Sequence, residues 1–485
     1  MTAPDDALVL ALDQGGQSSR ALVFDARGYV VAQAARAVGE RRDGDDRVEQ
    51  DPEELVRSLA LCAEEVVHAL GKDAARLACA GLATQRSSIA CWDRSSGAAL
   101  APVLSWQDRR AAAELARFTA DEADVVARTG LRLSPHYGAS KLAWCLAHVD
   151  AVRDARAQST LALGPLASFL AFRLLAERPL VADPANASRT LLWNLARGDW
   201  DDVLCARFGV PRELLPACAP TRHAFGTLVV GAVRVPFTVL NGDQSCALFA
   251  WGAPDPDALY VNLGTGAFVQ RPVHGDAPAI DGLLRSVVLG ERERRTCVVE
   301  GTINGAGSAL AHHACELGLA AWERELDRWL LDARDPPLFL NGHSGLAAPF
   351  WRSDFRSRFV GAGAPEARLA AVAESIVFLA RAIVERMDAR LPRAKRVIAT
   401  GGLSNSEALV QRLADVHELE VERRDDPEAT ARGLARLLFD GLGATRPFEV
   451  RLPRRALPTS DTAVLRRYRG WSLELERALA VTPPR

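Results

Sequence analysis

Residues 8–25, LVLALDQGGQSSRALVFD, decide how the rest of this sequence is interpreted. An apolar run ends in an acid, Asp13, a glycine turn follows, and a second apolar run begins at Ala21. This pattern predicts a strand, a tight turn and a second strand. The backbone N–H groups of such a turn can form an anion-binding nest, and an acid at the strand end can hold a cation on the same anion. The stretch therefore indicates either a metal–phosphate site or an ordinary surface hairpin with a solvated aspartate.

Two better-known phosphate-binding loops do not fit this stretch. The turn lacks the GxxxxGK[ST] pattern, and the residues after it continue as a strand pattern. Both the P-loop and the dinucleotide fingerprint need a helix directly after the glycine turn. A different architecture must therefore supply any phosphate site here.

Composition limits the classes of function. The chain has 485 residues, of which 48% are hydrophobic and 25% charged, which predicts a globular protein of two or three domains. The formal net charge of -2 gives no general attraction to nucleic acid or to a membrane surface. No apolar run approaches the roughly 18 residues of an integral membrane segment, and the acidic N-terminus does not resemble a signal peptide. The nine cysteines form no CxxC pair, which favours reduced thiols in a cytoplasmic protein.

A second part of the chain repeats the opening pattern. Residues 235–240 are apolar and end at Asn241-Gly242-Asp243, and two further apolar runs flank Gly264-Thr265-Gly266. The repeat predicts an α/β protein with two domains of related build. We place the domains at residues 1–243 and 244–450, followed by a C-terminal tail at 451–485.

Local signals predict further elements. Asp51 and Pro52 are typical of a helix start, so we expect a helix that runs to about Leu70. Residues 77–82 and 88–92 are predicted to be strands that pair across the turn 84–87, and residues 41–47 to be a charged loop. The helical patterns that follow cover residues 108–118, 139–148, 166–175, 366–391, 407–417 and 428–439.

Two acids carry the chemistry that the sequence suggests. Asp13 and Asp243 each end an apolar strand, in two related units. Paired carboxylates in a cleft suit phosphoryl transfer, because one can hold Mg²⁺ at the phosphates while the other accepts the proton of an attacking hydroxyl. Glycine turns at residues 15–16, 264–266 and 401–402 would let backbone N–H groups approach phosphates closely. Any one glycine turn is usually structural, but their recurrence after strands favours a phosphoryl-transfer site.

Residues 7–445 resemble the FGGY family of carbohydrate kinases and, within it, the glycerol kinases. The resemblance rests on motifs whose order and spacing are specific: ALDQGGQSSRALVFD, VEQDPEEL, ATQRSSIACWD, VLSWQDRR, ASKLAW, DPANASRTLLWN with DWDD, NGDQSCALF, NLGTGAF, EGTINGAG, GLAAPFW and ATGGLSN. The family fold implied is two actin-like (ribonuclease-H-like) ATPase domains that close an interdomain cleft over the substrate and ATP. Closure of that kind excludes water, so that ATP is not hydrolysed idly.

The resemblance also implies a role for each matching residue. Asp243 would be the general base, and Asp13 and Asp243 would hold the metal, Mg²⁺. The ATP side would comprise Asp13, Gly15, Gly16, Gln17, Ser18, Arg20, Gly264, Thr265, Gly307, Gly402 and Asn405. The pocket for a polyol or sugar substrate would comprise Arg86, Ser87, Trp106, His136, Asp243 and Gln244. A homo-oligomer is compatible with the sequence, and no nucleic-acid partner is expected.

Three departures from the family pattern bear on substrate and rate. Gly16 stands where the family usually has threonine, and Gln17 or Ser18 could supply the missing hydrogen bond. Ser87 stands where glycerol kinases have glutamate, and His136 where they have tyrosine, although Tyr137 is adjacent. The leading function is ATP-dependent phosphorylation of glycerol to glycerol 3-phosphate. The alternatives are a kinase of another polyol or of a ketopentose, as in xylulokinases, and a weakly active or inactive regulatory relative.

Three histidines are expected to be structural. His312 and His313 lie on a predicted helix, where surface or core positions are much commoner than ligation. His343 lies in a loop expected to border the cleft.

Overall fold

The computed structural model describes residues 6–292, 294–424, 426–444, 447–449 and 452–481. The first five residues and the last four of the predicted tail lie outside the described residues. The strands are β1 Leu8–Gln14, β2 Ser18–Asp25, β3 Val30–Ala37, β4 Arg41–Asp43, β5 Arg47–Gln50, β6 Leu77–Thr84, β7 Ile89–Asp93, β8 Val103–Leu104, β9 Leu161–Pro165, β10 Val181–Ala182, β11 Trp193–Asn194, β12 Asp199–Trp200, β13 Ala217–Cys218, β14 Arg222–Val230, β15 Val233–Gly242, β16 Ala258–Leu263, β17 Ala267–His274, β18 Leu284–Gly290, β19 Arg295–Ile303, β20 Leu338–Leu340, β21 Arg358–Val360, β22 Arg396–Thr400, β23 Glu420–Arg423 and β24 Arg454–Ala456.

Helices cover the faces of the sheets. They are α1 Pro52–Leu70, α2 Ala112–Leu115, α3 Glu122–Thr129, α4 Gly138–His148, α5 Asp150–Ala157, α6 Leu166–Leu174, α7 Pro184–Ala187, α8 Asp202–Phe208, α9 Asp243–Ala247, α10 Gly307–Glu316, α11 Trp322–Asp332, α12 Pro365–Asp388, α13 Glu407–His417, α14 Ala429–Gly441 and α15 Ala463–Val481. The Asp51 carboxylate accepts the N–H of Glu53 (2.9 Å), so the predicted cap of α1 is confirmed.

The opening stretch forms the centre of the first large sheet. β1 pairs antiparallel with β2 and parallel with β6, in a sheet ordered β14-β15-β6-β1-β2-β3. Every residue of β1 is buried because both faces of the sheet are covered. Leu8, Leu10 and Leu12 pack in one core with α1, while Val9 and Ala11 pack in another with α14. The predicted strand–turn–strand is confirmed.

The second large sheet repeats the first. Its order is β18-β19-β17-β16-β22-β23-β24, in which β16 pairs antiparallel with β17 and parallel with β22, and β22 pairs parallel with β23. The run β19-β17-β16-β22-β23 thus has the order and directions of β3-β2-β1-β6-β15. Two related α/β units are therefore confirmed.

One helix of the second half, α14, packs on the sheet of the first. α14 contacts β1, β6 and β15 and crosses α9 closely. A Cβ atom at Gly433 would lie 1.8 Å from the carbonyl oxygen of Cys246, so only glycine allows this crossing. The two halves are therefore joined by a packed helix as well as by the chain.

Three local predictions were wrong in detail. β7 does not pair with β6 across residues 84–87; it pairs with β8 and β9 in a separate sheet, ordered β4-β5-β8-β7-β9. Residues 41–47 are not a simple loop but the hairpin of β4 and β5. The helix expected at 108–118 is reduced to α2, followed by a 3₁₀ segment at Ala116–Asp121.

The predicted tail joins the second half. β24 pairs antiparallel with β23, and Trp471 of α15 is buried and donates its indole N–H to the carbonyl of Phe339 (2.9 Å). In the part of the chain that the structure describes, no helix is both long enough and apolar enough to cross a bilayer.

Candidate active site

The site lies where parallel strands of the first sheet end. Asp13 is level with Ala83 on β6, and Gly242 at the end of β15 is level with Thr84. β6 lies between β1 and β15, so two strand spacings of about 4.8 Å each separate the strands that end at Asp13 and Asp243. The fold therefore brings together two carboxylates that are far apart in the sequence.

Asp13 is a buried acid, and one of its carboxylate oxygens has no partner among the described residues. Its Oδ1 has no hydrogen-bond partner among the described residues, and the residue is 9% exposed. Burial, and then the negative charge of Asp243, raise the pKa of Asp13 to about 7, while Arg20 opposes the shift. A carboxylate left in this state is suited to a positive ligand.

Asp243 is held by its neighbours at the start of α9. Its Oδ1 accepts the N–H of Gln244 (2.6 Å) and lies 3.9 Å from Nε of Arg86. Burial raises the pKa of Asp243, and the Arg86 guanidinium opposes this. Nη2 of Arg86 donates to Oε1 of Gln244 (2.5 Å), so three of the predicted substrate residues are in contact with one another. Burial lowers the pKa of Arg86 to about 10.

The glycine turn after β1 is connected to the substrate side by buried amides. The N–H of Gly15 donates to the carbonyl of Ser18 (2.9 Å), and Gln50 Nε2 donates to the carbonyl of Gly16 (2.8 Å). Gln85 in turn donates to Oε1 of Gln50 (2.6 Å). The Oε1 of Gln85 accepts from the Ser88 hydroxyl (3.1 Å), whose oxygen accepts the N–H of Trp106 (3.0 Å). Gln50, Gln85 and Ser88 thus connect the glycine turn to Trp106.

Gly16 has room for a side chain. A Cβ atom there would meet Gln85 Oε1 at 3.8 Å and Trp106 Nε1 at 4.0 Å, both ordinary contacts. We expect Gly16→Thr to fold normally and to raise kcat/KM for ATP roughly tenfold or more, because a hydrogen bond to a charged group contributes about 1.5–3 kcal/mol. Steady-state kinetics with varied ATP test this, with Gly16→Val as the control for bulk without a hydroxyl. Equal kcat/KM in wild type and Gly16→Thr would show that Gln17, Ser18 or another group already fills the role.

Arg20 connects the turn after β1 to the second half of the chain. Its Nη1 binds both oxygens of Glu428 (2.9 and 3.1 Å), just before α14, and its Nε donates to the Ser18 hydroxyl (3.3 Å). Gln17 is exposed at the tip of the turn. The predicted phosphate-side cation is thus present, and it is paired with an acid of the other half.

The second glycine turn is braced by α10. Gly307 at the start of α10 donates its N–H to the carbonyl of Gly264 (2.9 Å), and Ser308 donates its N–H to the carbonyl of Thr265 (3.0 Å). A Cβ atom at Gly307 would lie 2.9 Å from the carbonyl oxygen of Gly264, so the helix approaches the turn through glycine. The Thr265 residue itself remains exposed.

A cavity of about 440 Å³ extends from Asp243 to the end of β22. Its wall includes Gln244 at one end and Gly402 and Asn405 at the other. No described atom lies within 4 Å of a Cβ position at Gly402, and the Asn405 side chain is held by Arg423. The structure therefore brings the predicted base and the predicted adenosine residues to one cavity.

The substrate turn is fixed by a buried lysine. Ser87 has a left-handed backbone (φ 68°), and His136 Nδ1 contacts the carbonyl of Trp106 (2.9 Å). Lys141 Nζ, fully buried on α4, donates to the carbonyls of Ser87 (2.8 Å), Ser105 (2.9 Å) and His136 (2.8 Å). Burial lowers the pKa of Lys141 to about 7. One ammonium group thus ties together the backbone of three loops that carry predicted substrate residues.

We expect Lys141→Met to raise KM for the acceptor substrate roughly tenfold and to leave KM for ATP nearly unchanged. The substitution keeps the length of the side chain but leaves three carbonyls without their donor, and the loops lose their common anchor. Initial rates with each substrate varied in turn provide the measurement. Lys395→Met is the matched control, because Lys395 lies on the surface in an ion pair with Asp257. A parallel rise of both KM values would instead indicate general unfolding of the region.

Sequence reasoning missed a second buried network. Arg189 forms a buried ion pair with Glu300, which also accepts from Gln270 Nε2 (2.9 Å). Tyr137 is buried nearby, and the charges of Arg189 and Glu300 act on both Tyr137 and Arg86. Tyr137 therefore lies close to Arg86. The motifs DPANASRTLLWN and EGTINGAG contained Arg189 and Glu300, but no local pattern links residues so far apart.

Comparisons with known proteins match nearly the whole chain to one family. The family model described as the N-terminal domain of the FGGY family of carbohydrate kinases matches residues 8–250, and that of the C-terminal domain matches residues 259–439. The chain is 32% identical to a glycerol kinase from Xanthobacter autotrophicus, over 97% of this chain and 98% of the relative. It is 34% identical to a glycerol kinase from Trichlorobacter lovleyi, over 90% of each.

Solved structures share the fold. A Plasmodium falciparum glycerol kinase with ADP superposes with a TM-score of 0.86 at 21% identity, covering 98% of both chains. A xylulose kinase from Rhodospirillum rubrum gives a TM-score of 0.85 at 20% identity, covering 97% of this chain and 98% of that one. This chain thus shares its overall fold with solved structures of a glycerol kinase and a xylulose kinase.

Proposed function

Because this chain belongs to the FGGY family of carbohydrate kinases, we propose that it transfers the γ-phosphoryl group of ATP to a terminal hydroxyl of glycerol. The observation that carries this is the pair of carboxylates, Asp13 and Asp243, at the ends of β1 and β15, with Arg86 and Gln244 beside Asp243. The relatives that cover nearly the whole chain carry the name glycerol kinase, which supports glycerol as the acceptor.

Asp243 is the base in this proposal. Its Oδ1 is held by the backbone N–H of Gln244, which leaves Oδ2 to take the proton of the acceptor hydroxyl as that oxygen attacks phosphorus. Its raised pKa improves it as a proton acceptor in the transition state. Arg86 and Gln244 orient the acceptor, because their side chains already fix each other next to Asp243.

The residues present fit a magnesium ion. Oδ1 of Asp13 is buried and has no partner among the described residues, and burial raises the pKa of this carboxyl group. Both features are expected of a carboxylate whose partner is a hard cation. Asp13 and Asp243 would hold Mg²⁺, which when bound neutralises charge on the phosphate oxygens. The turns at Gly15–Gly16 and Gly264–Thr265 offer backbone N–H groups to the phosphates, and Arg20 offers a guanidinium. Gly307, Gly402 and Asn405 form the adenosine side.

The substrate turn supports an alternative class of acceptor substrate. Ser87 is short and neutral, and His136 is turned toward the Trp106 carbonyl, so the pocket differs from one lined by glutamate and tyrosine. This leaves a larger polyol or a ketopentose as the alternative acceptor.

A substrate panel separates the two. With ATP and Mg²⁺, we expect kcat/KM for glycerol to exceed that for xylulose, ribulose and erythritol by at least roughly tenfold, because a buried donor or acceptor left unpaired by the wrong substrate costs about 1–3 kcal/mol. Coupled detection of ADP provides the measurement, with no acceptor as the blank. No turnover of glycerol together with turnover of another acceptor would establish the alternative, and no turnover with any acceptor would favour a regulatory relative.

The cysteines fit an activity in the reducing cytoplasm. All nine lie in the described part of the chain as free thiols. A cytoplasmic location is thus part of the proposal. A homo-oligomer stays a prediction.

A further inference from the structure

Three of the nine histidines of this chain meet at one place outside the cleft. His312 and His313 occupy the last turn of α10, with Glu316 three and four residues further on. His343 comes from the loop after β20, and its ring centroid lies 5.1 Å from that of His312. The expectation that these three histidines are structural does not account for this convergence from two elements.

The ligand atoms on α10 already face one another. Glu316 Oε2 lies 2.7 Å from His313 Nδ1, and Oε1 lies 3.3 Å from His312 Nε2. One nitrogen or oxygen atom from each of these three residues lies within 4.8 Å of the others. Ligand atoms bound to a common zinc ion at about 2.0–2.2 Å are separated by similar distances, so small side-chain rotations suffice.

The surroundings hold the imidazoles in place. His313 is mostly buried, and its ring stands edge-on to Phe339 with centroids 4.8 Å apart. The loop of His343 is anchored where Asn304 donates to the carbonyl of Ser344 (3.0 Å) and Asn341 donates to that of Gly305 (2.8 Å). A Cβ atom at Gly305 would lie 2.7 Å from the Cβ of His343, so glycine lets the loop approach α10.

We propose that His312, His313, Glu316 and His343 form a binding site for a borderline-soft divalent cation, of the class of Zn²⁺ or Co²⁺. Imidazole nitrogens with one carboxylate suit these ions, whereas Mg²⁺ prefers oxygen ligands only. A bound ion joins the loop of His343 to α10, whose first turn braces the Gly264–Thr265 turn. The ion would therefore stabilise one wall of the nucleotide side without touching the reacting groups.

Metal titration of the chelator-treated full chain tests the site. We expect Co²⁺ to develop visible absorption bands that saturate at roughly one equivalent and are reversed by Zn²⁺ but not by excess Mg²⁺. His312→Ala and His343→Ala should each weaken binding at least roughly tenfold. His148→Ala, which removes an exposed imidazole on α4, is the matched control and should bind like wild type, as should Asp13→Asn.

Thermal unfolding distinguishes loss of metal binding from misfolding of a variant. Zn²⁺ should raise the midpoint of wild type and of His148→Ala, because a ligand bound only by the native state stabilises it, and should raise that of His312→Ala much less. Absence of saturable binding, or wild-type affinity in either cluster variant, overturns the proposal. Neither outcome would bear on the kinase activity, which is measured separately.

Discussion

Asp243→Asn is expected to lower kcat roughly 10²–10⁴-fold with glycerol and ATP, the range that general bases contribute. Asparagine keeps the size of the side chain and can still accept the Gln244 N–H, but it cannot take the proton of the acceptor hydroxyl. KM for ATP should rise by much less than kcat falls, because Asp13 remains as the other carboxylate that would hold Mg²⁺. Stopped-time assays of glycerol phosphate formation, with ATP binding followed by calorimetry, give both quantities.

The matched control is Asp440→Asn. Asp440 lies near the end of α14, pairs with Arg436 outside the cleft, and also has a pKa raised by burial. It should keep nearly full activity. If Asp243→Asn retains activity within a few fold of wild type, Asp243 is not the base and the proposed proton transfer fails.

Asp13→Asn is expected to abolish most activity and at the same time to make the protein harder to unfold. The activity loss should be at least roughly 10²-fold, as for other groups that stabilise transition-state charge. The gain in stability has a separate cause, because the carboxylate of Asp13 is buried without a partner for Oδ1.

The size of the stability effect depends on pH. Asp13 titrates at its ordinary pKa of 3.8 in the unfolded chain and at about 7 in the folded one, so the folded protein binds more protons between these values. The free energy of unfolding of the wild type therefore falls as the pH rises through this window. Asparagine removes the effect, so the gain is absent below pH 3.8 and complete above about pH 7, with an upper limit of about 4 kcal/mol.

Calorimetric unfolding of metal-free protein at about pH 5 and about pH 8 measures the gain, which should be larger at the higher pH. Asp388→Asn is the matched control, since Asp388 also has a buried oxygen without a partner among the described residues and a pKa raised by burial, but lies at the end of α12. It should gain stability without losing activity. An Asp13→Asn protein less stable than wild type at about pH 8 would contradict the buried, unpaired state of this carboxylate.

Local signals predicted the elements whose cause is local. The cap at Asp51, the apolar run of β1 and the turn at Gly15–Gly16 each depend on residues within a few positions, and all three are confirmed. The pairing of β7 was wrong because alternation shows that a strand exists but does not show its partner. The left-handed backbone at Ser87 belongs to the turn after which the chain enters a different sheet.

The candidate site was predictable where motifs mark it and hidden where contacts join distant residues. Asp13 and Asp243 each follow an apolar run, so both could be chosen from the sequence as candidate site acids. The ammonium of Lys141 and the ion pair of Arg189 with Glu300 were not, because their function depends on carbonyls and acids from other parts of the chain. Buried charges of this kind show no periodicity that distinguishes them from surface charges.

The packing of α14 on the first sheet has a consequence for how the chain is made. One face of that sheet, which includes Val9, Ala11 and Phe24, is covered by Leu434 and its neighbours, more than 400 residues later in the sequence. During synthesis the first half leaves the ribosome with this apolar face open, and it stays open until nearly the whole chain has emerged. A nascent chain in that state exposes apolar surface, to which chaperones bind and through which chains aggregate. The packing of α14, which also lines the cleft, is thus needed to bury the apolar face of the first half and to protect it from aggregation.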